Sequence, residues 1–258
     1  MIKVFKIGGN VINDPKALDA FVADFAHVEG PKILVHGGGD SATNFAKKLN
    51  VYNTMVEGRR VTNADMIKIV TQIYAGQINK DIVCRFSKVG VSSFGFCGVD
   101  GMSMRSVRRV AGSVDFGFVG DLDETGINTT IFMNLINNGI LSVIAPITIG
   151  AEYEILNTNA DTVAQSIAVA LSKEDEVELV YCFEKDGVLR DVSDASTLIK
   201  DIDLDVYREL RDKKIVFEGM IPKIDNAFTA ISRGVKRVCM CSSKNILQEG
   251  YGGTVIVR

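Results

Sequence analysis

The chain has no apolar run long enough to span a bilayer and no long apolar signal region; its first strand-like residues reach glycine by Gly8. A soluble, cytoplasmic protein is expected on that ground. It also lacks an excess of positive charge. The net charge of −3 implies no basic face for nucleic acid or an anionic membrane. Any phosphate must be gripped by local geometry and a few placed lysines. Cysteine is scarce and odd in number, at Cys84, Cys97, Cys182, Cys239 and Cys241, which argues against a disulfide framework. Cys239 and Cys241 lie two apart in an apolar run, so they share one strand face as small buried hydrophobes, and too few further ligands surround them for a metal site. His27 and His36 are the only histidines, and neither belongs to a Ser-His-Asp or Cys-His arrangement. His36 ends a strand and reads as structural. There is no repeat, no low-complexity segment and no Pro-rich linker. G-x-x-x-x-G-K-[ST] is missing, which excludes a P-loop, and Gly37-Gly38-Gly39-Asp40-Ser41 does not complete G-x-G-x-x-G, which leaves the dinucleotide-binding reading weak.

What is present is ordinary for a folded domain, 47% hydrophobic and 24% charged over 258 residues. That length suits one large α/β domain or two small ones. Buried strands are expected over residues 2–7, 32–35, 92–96, 141–145, 177–182, 237–241 and 254–257. Helices are expected over 18–28, 41–49, 64–89, 129–138, 160–171, 204–213 and 221–233. This alternation predicts a three-layer αβα sandwich around a central, mainly parallel open sheet. Residues 102–110 and 115–121 read as hairpin material inserted over the sheet, and 191–214, dense in Asp, Lys and Arg, as a solvated helical face.

Two glycine turns follow successive strands, Lys6-Ile7-Gly8-Gly9-Asn10 and His36-Gly37-Gly38-Gly39-Asp40-Ser41. Glycine lets backbone N–H groups converge on an anion, a following helix adds partial positive charge, and ligands of open parallel sheets sit at the carboxyl ends of the strands. Arg59-Arg60-Val61-Thr62-Asn63 precedes a helix that Thr62 or Asn63 caps, and an arginine there is suited to gripping a carboxylate. Asn157 and Asp161, four apart, face one way if their helix begins early. Lys223 lies just inside a helix start, where a cation is unfavourable unless an anion is near.

Together these motifs resemble the amino-acid kinase family and, within it, the enzymes that phosphorylate N-acylglutamates such as N-acetylglutamate. The landmarks run in order: Lys6-Ile7-Gly8-Gly9, Val35-His36-Gly37-Gly38-Gly39, Gly58-Arg59-Arg60-Val61-Thr62, Ala75-Gly76-Gln77-Ile78-Asn79-Lys80, Asp115-Phe116-Gly117-Phe118-Val119-Gly120, Asn157-Thr158-Asn159-Ala160-Asp161, Asp186-Gly187-Val188-Leu189 and Gly219-Met220-Ile221-Pro222-Lys223. The resemblance implies ATP-dependent phosphorylation of a γ-carboxylate to an acyl phosphate, an early step of arginine biosynthesis, with Mg²⁺ carried mainly by the nucleotide phosphates. It implies that Lys6 and Lys223 stabilise the migrating phosphoryl group and that Asp161 orients them. Gly8, Gly9, Gly38 and Gly39 would offer backbone N–H groups, and Arg60 and Asn157 would hold the substrate's α-carboxylate. The nucleotide would lie against Glu184, Lys185, Asp186, Gly187, Val188, Leu189, Ile215, Val216 and Phe217. One domain spans 1–258, with residues up to about 173 serving the acylglutamate and the rest the nucleotide.

The chain departs from the family pattern in places. Arg59 stands where an apolar residue is common, and Cys182-Phe183-Glu184-Lys185-Asp186-Gly187-Val188 replaces T-D-V-x-G-V. The loop Phe96-Cys97-Gly98-Val99-Asp100-Gly101 is also unusual. Arg59 would pair with an acyl group that carries its own charge, as succinyl does, or would simply face solvent. The chain starts directly on its first strand, without the N-terminal helix of arginine-inhibited hexameric relatives, and a homodimer through the 64–89 helix without arginine feedback is expected. Other members of the family, acting on aspartate, glutamate, carbamate or a nucleoside monophosphate, and a non-catalytic sensor on the same fold remain as alternatives.

Overall fold

The computed structural model describes residues 1–52, 54–56, 59–191, 193–213, 215 and 220–257, with Pro222 described by its backbone alone. Eight strands form one sheet in the order Asp201–Ile202, Thr254–Ile256, Arg237–Ser242, Val177–Phe183, Ile2–Ile7, Lys32–His36, Leu141–Ile144, Ser93–Phe96. Every neighbouring pair is parallel except Arg237–Ser242 with Thr254–Ile256. The expected strands are all there. The additional one, Asp201–Ile202, is two residues long and too short to show a pattern.

Side-chain alternation along each strand splits the apolar residues between two cores, one on each face of the sheet. Ile2 and Val4 join Leu179, Tyr181 and the helices Ala160–Leu171 and Ile221–Ser232. Phe5 and Ile7 join Val180, Cys182 and the helices Pro15–His27 and Gly39–Lys48. The helices on both faces make the three layers. Parity also sends Lys6 to the face shared by Tyr181, beside which it lies in register. Helix starts are fixed by side-chain caps: Asp14 accepts from the backbone N–H groups of Lys16 and Ala17, and Asn63, Asn159 and Asp203 do the same for their helices.

Three expectations need correction. The 64–89 helix is continuous but not uniformly α: a π-helical segment, Gln72–Ile78, separates Ala64–Thr71 from Asn79–Lys88. Residues 191–214 are not one helical face. Asp191, Asp194 and Asp203 turn the chain by accepting backbone N–H bonds; among the described residues a short 3-10 turn, Ala195–Thr197, precedes the α-helix Leu204–Asp212. Asn157 ends a short strand, Ile155–Asn157, rather than beginning the helix at Ala160. The inserted segments do form a hairpin, Val107–Arg108 with Gly120–Asp121. Two further antiparallel pairs, Thr54–Val56 with Arg59–Val61 and Ile147–Ile149 with Ile155–Asn157, escaped notice.

Glu178 is a fully buried carboxylate in the middle of this sheet. It accepts hydrogen bonds from Arg237 Nε, from the Tyr251 hydroxyl and from Cys239 Sγ, the last at 3.3 Å. Replacing it orphans an arginine and a buried tyrosine hydroxyl together. Glu178→Ala is expected to lower unfolding stability by about 2–4 kcal/mol in a urea titration while leaving substrate KM unchanged.

Candidate active site

The carboxyl ends of Ile2–Ile7, Lys32–His36 and Val177–Phe183 open onto two cavities. The first, of about 190 Å³, is walled by Gly37, Gly38, Gly39, Arg59, Arg60, Tyr74, Arg109, Asn157 and the residues at the start of helix Ala160–Leu171. All three antiparallel pairs contribute to it. Arg60 is buried, and its Nη2 donates to the Gly39 carbonyl oxygen and to Thr43 Oγ1, each at 2.8 Å. Asn157 Nδ2 donates to Thr62 Oγ1 at 3.0 Å. Arg59 is exposed at the same wall, with no ion-pair partner among the described residues. Arg109, by contrast, is neutralised by a bidentate pair with Asp121, which holds its guanidinium above the usual range. Gly38 has φ +155°, and a Cβ there would lie 2.6 Å from Ile78 Cδ1 and 2.8 Å from Tyr74 Cδ1. The π-helical segment supplies both of those side chains.

The second cavity, of about 410 Å³, is lined by Gly8, Asn10, Val11, Cys182, Phe183, Glu184, Lys185, Gly187, Val188, Leu189, Met220 and Lys223. Most of the nucleotide residues expected from sequence are thus gathered here. Asp186 is not on the wall; its carboxylate accepts from Asn245 Nδ2 at 3.0 Å. Ile215 packs against the apolar core, and Val216 and Phe217 lie outside the described residues. Gly9 opens the short helix Gly9–Ile12. Asn10, which donates to Glu184 Oε1 and so closes the first glycine turn over the cavity, was missed, although it is the next residue after Gly9.

Between the cavities stands a charged cluster. Lys6 Nζ and Asp161 Oδ1 are 2.8 Å apart. Asp161 sits in the first turn of its helix, where Asn159 accepts from its backbone N–H at 2.8 Å, while Ala160 and Thr162 on either side of it line the first cavity. Lys223 lies on the same side. Burial pushes its pKa down, Asp161 pulls it back up and Lys6 pushes it down again, so the carboxylate and the second ammonium both act on it. Tyr181, Phe183, Asp161, Lys223 and Asn226 enclose a small space between them. Two lysines separated by most of the chain are thus set around one aspartate, Lys6 in an ion pair with it and Lys223 across a shared small space. Among the described residues, no group of three or more His, Cys, Asp or Glu is placed to hold a metal ion.

His36 is fully buried beside this site, with Nδ1 donating to the Gly37 carbonyl oxygen at 2.8 Å and Nε2 accepting from Asn79 Nδ2 at 3.1 Å. Both ring nitrogens are occupied by structure, as the sequence led one to expect.

Its relatives place the chain among phosphotransferases of one particular class. Residues 1–242 match the amino acid kinase family, and the chain belongs to that family. An acetylglutamate kinase of Cytophaga hutchinsonii is 44% identical over 246 residues, which cover 95% of this chain and 92% of that one. The acetylglutamate kinase of Phocaeicola vulgatus is 43% identical, with 100% and 98% covered. Among solved structures, smu.665 from Streptococcus mutans superposes with a TM-score of 0.76 at 24% identity, covering 99% of this chain and 98% of that one. That likeness speaks for the fold.

Burial lowers the His36 pKa to about 4, below its ordinary 6.5. In the unfolded chain the ring takes up a proton as pH falls through 6.5, whereas the folded protein takes it up only near pH 4. Stability is therefore complete above pH 6.5 and falls between 6.5 and 4 by up to roughly 1.4 kcal/mol per pH unit. Urea titrations at pH 7.5, 5.5 and 4.5 are expected to show that slope, and a His36→Gln variant should lack this part of it.

Proposed function

We infer that the chain catalyses ATP-dependent phosphorylation of the γ-carboxylate of N-acetyl-L-glutamate or a close N-acylglutamate, giving an acyl phosphate for arginine biosynthesis. The observation that carries this reading is the Lys6–Asp161–Lys223 cluster, set between an arginine-walled cavity and a larger cavity entered by a glycine turn.

The chemistry fits without a general base. A γ-carboxylate is already ionised at neutral pH, and the neutral, doubly bonded His36 is not needed. The difficulty is to bring two anions together and to spread the charge of a loose transition state. The α-carboxylate is assigned to Arg60 and Asn157, with the backbone of Gly38 and Gly39 beside it. The γ-carboxylate then points towards Lys6, held in place by Asp161. ATP enters the second cavity along Gly8, Gly9 and the segment with Glu184, Lys185, Gly187, Val188 and Leu189, bringing its phosphates to Lys223. Mg²⁺ bound to those phosphates supplies further charge neutralisation. The acyl group keeps the substrate's nitrogen uncharged.

We further propose that the enzyme works in the cytoplasm as a homodimer packed through the helical run from Ala64 to Lys88. Gly76 faces open space there, and a Cβ at that position would meet nothing within 4 Å. Arg59, at the mouth of the first cavity and with no ion-pair partner among the described residues, is assigned to a carboxylate on the acyl group when one is present.

The test is ADP release with N-acetylglutamate and N-succinylglutamate, with hydroxylamine present to convert an acyl phosphate to a hydroxamate. Release of ADP without hydroxamate would sink the reading. Lys6→Met and Lys223→Met are each expected to lower kcat by about 10²–10³. Because burial lowers the Lys223 pKa, activity should decline on the alkaline side earlier than an ordinary lysine would dictate, and Lys223→Arg should remove that limb at reduced kcat. Arg59→Leu should lower the succinyl-to-acetyl rate ratio by roughly two- to fivefold; an unchanged ratio removes Arg59 from substrate recognition.

A further inference from the structure

We propose that Phe183 is a positioning residue for phosphoryl transfer, its ring face holding the ammonium of Lys223 at the point where the phosphoryl group must pass. The inference rests on the kinase reading above and assigns a role to a residue that the site's motifs leave out.

Lys223 is a cation in an unwelcoming place. It is the third residue of helix Ile221–Ser232, where the helix dipole disfavours positive charge. It is half-buried, and Lys6 repels it from across the site. Asp161 attracts it, but the short ion pair of that carboxylate is made with Lys6. Among the described residues, the ammonium of Lys223 has neither an ion-pair nor a hydrogen-bond partner. Its direct contact is the Phe183 ring, whose centroid lies 4.0 Å from Nζ. A ring face attracts a cation electrostatically, and more strongly where water is excluded.

The ring is itself fixed. Phe183 ends the strand Val177–Phe183 on the face that carries Tyr181, and the two rings stack at 6.0 Å between centroids and 22° between planes. Tyr181 is buried and donates its hydroxyl to the Asp161 carbonyl oxygen at 3.3 Å. The pieces form a continuous chain of contacts. Asp161 holds Lys6 by its carboxylate and Tyr181 by its backbone, Tyr181 supports Phe183, and Phe183 supports Lys223. All line or adjoin the small space between the cavities. The ring thus gives Lys223 a fixed place without a second carboxylate. A carboxylate there would compete with phosphate for the ammonium, whereas a ring face can be kept while the phosphate binds.

Replacement of Phe183 by mono-, di- and trifluorinated phenylalanines tests this, since fluorine drains the ring face and leaves its shape nearly unchanged. With both substrates saturating, log kcat is expected to fall stepwise with fluorine number, to roughly ten- to thirtyfold at three fluorines, with the acylglutamate KM and the melting temperature unchanged. Phe183→Trp should retain activity and Phe183→Leu should sit at the low end. A kcat that stays flat across the fluorinated series, with Phe183→Leu slow, overturns the proposal and makes the ring a space-filler. If the unmodified protein releases no ADP with any N-acylglutamate, or if Lys223→Met is as fast as the unmodified protein, the kinase reading itself falls and the proposal with it. The unmodified and Lys223→Met controls therefore separate that failure from failure of the ring's role.

Discussion

The contact between Lys6 and Asp161 organises everything around it. Two ammonium groups about 5 Å apart repel by roughly 3 kcal/mol at an effective dielectric near 20. A site meant to receive phosphate needs both of them before the phosphate arrives. One carboxylate at 2.8 Å from Lys6, also acting on Lys223, offsets that repulsion. Its own position is secured twice: a carboxylate in the first helical turn is favoured by the helix dipole, and Asn159 caps that turn. Strand parity does the rest. Because Ile2 and Val4 belong to one core and Phe5 and Ile7 to the other, Lys6 must emerge on the face where helix Ala160–Leu171 begins.

The same physical causes explain what could be read from the sequence. Buried strands and amphipathic helices announce themselves by local periodicity, so the sheet and its layers were legible. The glycine turns were legible because a tight turn at a strand's carboxyl end has few other reasons to contain consecutive glycines, and Lys223 because its charge has the wrong sign for a helix start. The gathering of Lys6 and Lys223 around Asp161 was not in the periodicity at all; its expectation came from resemblance. The hairpins that wall the first cavity have strands of two or three residues, too short for alternation to appear. The π-helical segment Gln72–Ile78 leaves no mark in an apolar pattern, yet it turns Tyr74 and Ile78 onto Gly38. Phe183 falls just past the expected strand, inside the motif that departs from the family pattern, where its sequence position gave it no role.

The arginines of the first cavity show how equal charges acquire unequal roles. Arg60 is buried and tied to Gly39 and Thr43, so its guanidinium is pre-oriented for a planar anion. Arg109 has already spent its charge on Asp121 and mainly joins the two strands of its hairpin. Arg59 is exposed, with its pairing left to whatever enters. A count of basic residues near the site would treat the three alike; their partners separate a buried, tethered guanidinium, a strut and an exposed cation with no ion-pair partner among the described residues.

The two lysines are unequal in the same way, and the inequality bears on catalysis. Only interactions that strengthen on going to the transition state accelerate a reaction. Lys6 already has a full carboxylate partner, so the arrival of phosphate changes its surroundings less. Lys223 is desolvated, opposed by its helix dipole and by Lys6, and held by a ring rather than by an anion. A phosphoryl group carrying charge on three oxygens gives it what the resting site withholds. The cost of keeping that ammonium underpaired before the reaction is met by the fold, through the burial of Tyr181 and its neighbours on one face of the sheet. Under the proposed mechanism Lys6 would chiefly place the acceptor and Lys223 would chiefly answer the charge that moves.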